Sequence, residues 1–128
     1  PERLGNLAET AAGANIRALT RHEGGRVHYW RDKKGREVDF LVELPGAPLI
    51  GIEIKYRNTF KGSFVDGLVA FAKTTPKAKT ILLVPAAVAA QAPVVPDGIV
   101  VWAMELFTAG LGLQVALDQE REHPEEGS

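Results

Sequence analysis

Two acidic residues and one lysine have the chemical types that a phosphate-hydrolysing site requires. Asp39 is followed by Glu53 fourteen residues later, and Lys55 comes two residues after Glu53. Magnesium prefers oxygen ligands and usually takes one or two carboxylates while it keeps several waters. Such an ion lowers the pKa of a bound water and neutralises charge on a phosphate. Lysine can orient or deprotonate that water, or stabilise the negative charge that develops. The trio therefore predicts a hydrolytic site with Mg²⁺ as cofactor and Mn²⁺ as the alternative ion.

A β-hairpin is needed to bring these side chains together. Residues 36–43 and 49–55 both read as strands, and the proline- and glycine-containing segment between them reads as a turn. If that turn centres on Gly46, Asp39 and Glu53 lie directly across from each other. Their Cβ atoms are then about 4.5–5.5 Å apart, which is unfavourable for two carboxylates unless a cation lies between them.

The alternation of side chains along the same strands predicts one polar and one apolar face. Lys55 shares the face of Glu53 and lies across from Glu37. The apolar face is expected to hold Val38, Phe40, Val42, Ile50, Ile52 and Ile54. A structural role is the alternative: Glu53 and Lys55 would form a solvated pair, and Glu37 and Lys55 a cross-strand ion pair.

The remaining periodicities predict helices on both sides of this meander. Apolar residues at three-to-four spacing indicate a helix from about 3 to 21, which Gly24 and Gly25 end. Residues 27–31 read as the first strand. Ser63 is expected to cap a helix through about Lys73 that buries Phe64, Leu68 and Phe71.

Two further apolar runs, 81–84 and 99–102, read as buried strands. Short helices are expected from Ala86 and over 103–111. The order is helix, three-strand meander, helix, strand, short helix, strand. It predicts an α/β sandwich on a mixed sheet.

Three sequence strings together resemble a known family. They are G-N-L-A-E from Gly5, Y-W-R-D-K-K-G-R-E-V-D-F from Tyr29, and I-E-I-K from Ile52. Asp39 with Glu53-Ile54-Lys55 resembles the PD-(D/E)xK nuclease signature, although Val38 stands where the literal motif has proline. The longer pattern, to about Trp102, resembles the C-terminal nuclease-like domain of bacterial and archaeal AAA-type ATPases.

The resemblance implies a restriction-endonuclease-like sandwich and a role for each motif residue. Asp39 and Glu53 would be metal ligands, with the Ile54 carbonyl as a third. Lys55 would be the catalytic lysine, and Glu9 an accessory ligand or a residue that positions a ligand or water. It also implies that residues 1–117 form a nuclease-like domain excised from a longer chain, with the upstream ATPase domain as its partner.

Basic residues around the predicted site could follow a DNA backbone. They are Arg31, Lys33, Lys34, Arg36, Arg57 and Lys61. A solvated hairpin tip explains the first four equally well. The signal is modest, since the formal net charge of the 128 residues is -1.

Composition excludes several classes of protein. Hydrophobic residues make up 45% and charged residues 24%, which are globular values for one domain. The absence of cysteine excludes disulfides and thiolate chemistry. No apolar run approaches the roughly 20 residues of a membrane span, so we expect a cytoplasmic protein without membrane contact. The acidic segment 118–128 is expected to be a disordered tail.

Two functions remain open from the sequence. The first is a magnesium-dependent nuclease domain that cuts DNA by attack of water on a phosphodiester. The second is a catalytically inactive nuclease-like module that binds nucleic acid or a protein partner and regulates the ATPase. No Walker A motif is present, so the ATPase activity itself is not expected in these residues.

Overall fold

Five strands form one mixed sheet with helices on both faces in the computed structural model, which describes residues 2–108. The elements are α1 (Glu2–His22), β1 (Arg26–Arg31), β2 (Glu37–Glu43), β3 (Ile50–Ile54), a 3₁₀ turn (Gly62–Val65), α2 (Asp66–Thr74), β4 (Lys79–Val84), α3 (Ala86–Ala89), β5 (Ile99–Ala103) and α4 (Met104–Thr108). The predicted α/β class and element order are confirmed. The architecture is consistent with a restriction-endonuclease-like sandwich. The predicted end of the last helix, the domain end at 117 and the tail 118–128 lie outside the described residues.

The strands lie in the order β1-β2-β3-β4-β5. The first three are antiparallel neighbours, and β3, β4 and β5 are parallel. Because β2 runs opposite to the other four strands, its first residue lies at the end of the sheet where β1, β3, β4 and β5 terminate. We call this the carboxyl end of the sheet.

The sheet separates two apolar layers. On the α1 side, Ile16 packs with Ile52 and Leu83, and on the α2 side, Phe71 packs with Leu82. The predicted burial of β4 on both faces is confirmed. Burying one such side chain contributes about 1.5–3 kcal/mol. By contrast, β5 is partly exposed along its length, since it is the last strand of the described sheet.

A β-bulge interrupts the pairing of β1 with β2. His28 pairs with Leu41, but Trp30 pairs with Val38, so Asp39 and Phe40 both lie across from the single residue Tyr29. An extra residue in one strand breaks the alternation of its side chains. Val38 therefore packs in the α2 layer, whereas Phe40 packs in the α1 layer. The predicted single apolar face of β2 is wrong for this reason.

Helix α1 approaches the sheet closely through small residues. A Cβ atom on Gly13 would lie 2.7 Å from the ring of Phe40, and one on Gly5 would lie 3.3 Å from the Tyr56 carbonyl. Leu7, part of the predicted apolar stripe, is instead 61% exposed. The helix bounds are confirmed to within one residue, and Gly5 and Gly13 permit its close approach to the sheet.

The second helix starts later than its predicted cap. Ser63 lies inside the 3₁₀ turn, and α2 begins at Asp66 without a side-chain cap. A Cβ atom on Gly67 would collide with the Glu37 carbonyl oxygen, so only glycine allows α2 to lie against the start of β2. Among the described residues, none of the helices has both the length and the apolar composition needed to cross a membrane.

Candidate metal and phosphate site

The β2–β3 hairpin has the predicted register. Phe40 pairs with Ile52 and Val42 with Ile50, which centres the turn on Gly46. Gly46 has a φ of 73°, a left-handed conformation that glycine adopts without strain. The paired stretch ends at Phe40 and Ile52, so the next residues, Asp39 and Glu53, face each other where the two strands separate.

Beyond this point, hydrogen bonds to the acidic side chains replace the backbone–backbone hydrogen bonds between β2 and β3. The Asp39 N–H donates to Glu53 Oε1 at 2.8 Å, and the Ile54 N–H donates to Asp39 Oδ2 at 3.2 Å. Each carboxyl group thus accepts a hydrogen bond from the opposite strand. One oxygen of each, Asp39 Oδ1 and Glu53 Oε2, is left without a backbone donor among the described residues. The two side chains are therefore fixed against each other between the strands.

The two acids reach this gap from different sides of the sheet. Gly51 faces Phe71 of α2, and alternation along β3 puts Glu53 on the same side. Asp39 instead lines a cavity beneath α1, because the bulge turns it toward that helix. The predicted arrangement of both acids on one polar face is corrected accordingly.

Burial makes the charge of Glu53 unfavourable. Only 7% of the residue is exposed, and this desolvation, followed by the charge of Asp39, raises the pKa of Glu53 to about 8. A hydrogen bond between the two carboxyl groups acts in the same direction. The Lys55 Nζ lies 3.6 Å from Glu53 Oε2 and opposes the shift without cancelling it. The Glu53–Lys55 pair considered from the sequence is present, but its carboxyl group is buried and not solvated.

The Ile54 carbonyl faces the same gap. Lys55 donates its N–H to the Leu83 carbonyl of β4, whereas the Ile54 N–H turns the other way, to Asp39. The N–H and C=O groups of one strand residue point to the same edge. The Ile54 carbonyl is therefore directed toward β2, where a third oxygen ligand was predicted.

Glu9 of α1 lies near Asp39. Its Oε2 accepts hydrogen bonds from the Tyr56 N–H at 2.8 Å and from Arg57 Nη1 at 3.3 Å. Glu9, Asp39 and Ile54 line a cavity of about 350 Å³ between α1 and the sheet. Glu9 thus lies beside Asp39 and also holds the segment that follows β3.

Asp39, Glu53 and the Ile54 carbonyl offer oxygen atoms of the kind that magnesium prefers. Within the part of the chain whose side chains are described, no three histidine, aspartate or glutamate side chains cluster as a metal site would require. Magnesium, however, often takes only one or two carboxylates. Asp39 and Glu53 supply two carboxyl groups, and the Ile54 carbonyl supplies a neutral oxygen. Burial and the charge of Asp39 raise the pKa of Glu53 despite the nearby Lys55 ammonium, so a further cation at this place would favour the ionised form.

The predicted cross-strand pair of Glu37 with Lys55 is absent from the described structure. Glu37 lies 3.7 Å from Arg31 Nε, and Lys55 pairs with Glu53 instead. The reason is the early end of the β2–β3 ladder, which separates the strands before Glu37 and Lys55 can face each other.

Comparison with known proteins assigns the family. The family model described as "Domain of unknown function (DUF4143)" matches residues 4–106. The chain belongs to this family. Glu9, Asp39, Glu53 and Lys55 all lie within the DUF4143 match. No curated protein and no solved structure matches the sequence.

In this DUF4143 domain, the six basic residues predicted from the sequence lie at or beyond the carboxyl end of the sheet. Arg36 is 2.7 Å from Asp32, and Arg31 and Arg57 also contact carboxylates. The exposed lysines of the predicted set form no ion pair with any residue the structure describes; they are Lys33, Lys34 and Lys61. The three arginines thus have carboxylate partners, whereas the three lysines are available to bind anions.

One aromatic residue near the site was not identified from the sequence. Tyr29 is 58% exposed and lies across from Asp39. The signal available was the alternation of β1, because Trp30 packs inward against Phe71 and its neighbour must face the other way. Without the bulge, nothing in the sequence places that other face beside Asp39.

Proposed function

We propose that this DUF4143 domain is a magnesium-dependent nuclease domain that acts on DNA. The observation that carries the proposal is the contact between the buried Glu53 carboxyl group and the half-buried Asp39, with the Lys55 ammonium 3.6 Å from Glu53. Two adjacent carboxylates are unfavourable in a protein interior unless they share a proton or a cation. A divalent cation stabilises both in their ionised state.

Each residue of the site has a separate role in the proposed hydrolysis of a phosphodiester. Asp39, Glu53 and the Ile54 carbonyl would hold the ion, which supplies an activated water and neutralises phosphate charge. Lys55, next to the carboxyl pair, orients or deprotonates the attacking water or stabilises the charge that develops on phosphate. Glu9 positions the segment from Tyr56, so that the backbone beyond β3 keeps its place.

The surroundings support DNA as the substrate. Lys33 and Lys34 at the β1–β2 turn and Lys61 after β3 are exposed cations near the end of the sheet that holds the carboxyl pair. Such charges attract a phosphate backbone without regard to sequence. The resemblance to PD-(D/E)xK domains of AAA-type ATPases supports the same proposal, and with it an ATPase module of the same chain as partner.

A second function is favoured by the hydrogen bonds of the acids. Asp39 and Glu53 each accept a backbone N–H, and Glu9 ties α1 to Tyr56. A network of this kind can join the strands without metal. In that case the domain is an inactive nuclease-like module that binds nucleic acid or a protein partner and regulates the ATPase.

Titration with Mg²⁺ or Mn²⁺, with DNA cleavage as the readout, tests the proposal. The control is Asp39→Asn, whose amide oxygen still accepts the Ile54 N–H but carries no charge. We expect cleavage that rises with metal and falls at least about 100-fold in Asp39→Asn. Asp66→Asn, an exposed acid of α2, should cleave like the parent.

Calorimetric titration with Mg²⁺ separates the two functions. The nuclease proposal requires heat of binding in the parent and its loss in Asp39→Asn. Equal cleavage by the parent and Asp39→Asn contradicts the assignment of the site. DNA binding without cleavage or metal binding supports the inactive module.

A further inference from the structure

Tyr29 presents an open aromatic ring next to the carboxyl pair. It is the one β1 residue that lies across from the bulged residues Asp39 and Phe40. The Cα atoms of directly opposed residues in regular antiparallel strands are about 4.5–5.5 Å apart. The side chain is 58% exposed, so the ring packs only partly against the protein.

The ring lies on the same side of the sheet as Asp39. Trp30 packs into the α2 layer, edge-on to Phe71 with ring centroids 5.7 Å apart. Because side chains alternate along a strand, Tyr29 faces the α1 side. Asp39 opens to that side too, in the cavity it shares with Glu9.

The Tyr29 hydroxyl lies near charged side chains at the start of β2. A hydrogen bond to Glu37 is the main cause that raises the pKa of Tyr29. Glu37 is held in turn by Arg31, whose Nε lies 3.7 Å from its carboxylate.

We propose that Tyr29 stacks on an unpaired base of DNA whose phosphate lies at the Asp39–Glu53 pair. The inference rests on the proposed function, because it needs the phosphate at that pair. Base–aromatic stacking tolerates any sequence, since every base has a π-face. Bases inside a duplex are already stacked on each other and do not reach the ring. Single-stranded DNA, or a frayed end, is therefore the preferred ligand.

Fluorescence anisotropy with labelled oligonucleotides tests this stacking. Binding is measured in Mg²⁺ with the full chain carrying Lys55→Ala, which prevents turnover. Tyr29→Ala should weaken binding of a single-stranded oligonucleotide by about 5- to 150-fold. Tyr29→Phe keeps the ring and should stay within about twofold of the parent. Duplex binding should change within about twofold in both.

Two controls separate stacking from a structural role of Tyr29. An oligonucleotide series with one abasic position moved along the strand should contain a position at which Tyr29→Ala has no further effect. Val100→Ala, an exposed apolar residue on β5, should bind as the parent does. Melting temperatures of the variants check that the half-exposed Tyr29 is not needed for folding.

The outcomes also separate this inference from the proposed function. Equal losses in Tyr29→Phe and Tyr29→Ala would show that the hydroxyl, not the ring, matters, and would overturn the stacking. Unchanged binding in Tyr29→Ala, together with metal-dependent cleavage by wild type, overturns the inference and leaves the function standing. No binding to any oligonucleotide overturns both.

Discussion

Strand β3 forms different hydrogen-bonding patterns with its two neighbouring strands. Toward β4 it forms a parallel ladder along its whole length, from Ile50 with Lys79 to Ile54 with Leu83. Toward β2 the ladder stops at Ile52, and carboxyl groups take over the hydrogen bonds of the strand. The pairing of β3 with β4 lies within the apolar core. The pairing of β3 with β2 contains Asp39 and Glu53, the only two acids that meet inside the described sheet.

The difference shows how a sheet can carry a buried polar site. Buried polar groups are tolerated when they are hydrogen-bonded. Asp39 and Glu53 meet this condition through backbone groups of the opposite strand, and the second oxygen of Glu53 lies 3.6 Å from the Lys55 ammonium. The β3–β4 pairing is covered by apolar side chains, whereas the β2–β3 pairing contains the two acids.

The largest effect is expected on catalysis at the polar side. Lys55→Ala should lower DNA cleavage by about 100- to 10,000-fold, since the variant loses the cation that orients water or stabilises charge. Its melting temperature should stay close to that of the parent, because the side chain is partly exposed and fills no apolar cavity. Lys73→Ala, an exposed lysine in the last turn of α2, is the matched control and should cleave as the parent does. A Lys55→Ala variant that cleaves normally would remove lysine from the mechanism.

A large loss of stability is expected on the apolar side. Leu82 is fully buried in β4, so Leu82→Ala should lower the free energy of unfolding by about 2–5 kcal/mol. Urea unfolding measures the change. Val100→Ala, on the partly exposed β5, should lose less than about 1 kcal/mol. Similar losses in the two variants would mean that the β3–β4 core does not dominate stability.

A pH-dependent effect should distinguish the two sides of β3. The pKa of Glu53 is raised from 4.5 to about 8, so the folded protein binds this proton more tightly than the unfolded chain does. The stabilisation is complete below pH 4.5 and is lost as the pH rises through about 8. In EDTA, Glu53→Gln should remove a pH dependence on the order of 3 kcal/mol across this window.

Urea unfolding at several pH values measures this dependence. Glu23→Gln, an exposed acid after α1, should keep the parent's profile. Mg²⁺ should raise the melting temperature of the parent more at pH 8 than at pH 5, because it stabilises the ionised pair. A parent profile identical to that of Glu53→Gln would contradict the buried, charge-repelled pair.

The smallest expected effect concerns binding at the carboxyl end of the sheet. Replacing Lys33 and Lys34 with alanine should reduce the slope of log affinity for duplex DNA against log salt by about 1.8, or about 0.9 for each phosphate contact. Fluorescence anisotropy at several salt concentrations measures the slope. The double replacement of Lys73 and Lys77, beyond the other end of β3, should leave it unchanged. Affinity that does not vary with salt would exclude a phosphate track.

Local pattern was sufficient to predict the elements and the central hairpin. The apolar periods predicted α1, the meander and both later strands to within a few residues, because burial of one face or both depends on short-range spacing. The register of Asp39 with Glu53 followed from a turn centred on Gly46. Such a register depends only on the length of the turn and the symmetry of the two strands about it.

Contacts between distant segments determined the rest. The bulge that turns Asp39 toward α1, the burial of Glu53 and the bonds of Glu9 to the segment at Tyr56 had no local signal. Each depends on how closely α1 and α2 approach the sheet, which Gly13 and Gly67 permit. Spacing along the chain indicates which side chains share one face of a strand or helix. Which of them lose water depends on the elements that cover them, and that is a property of the packed fold.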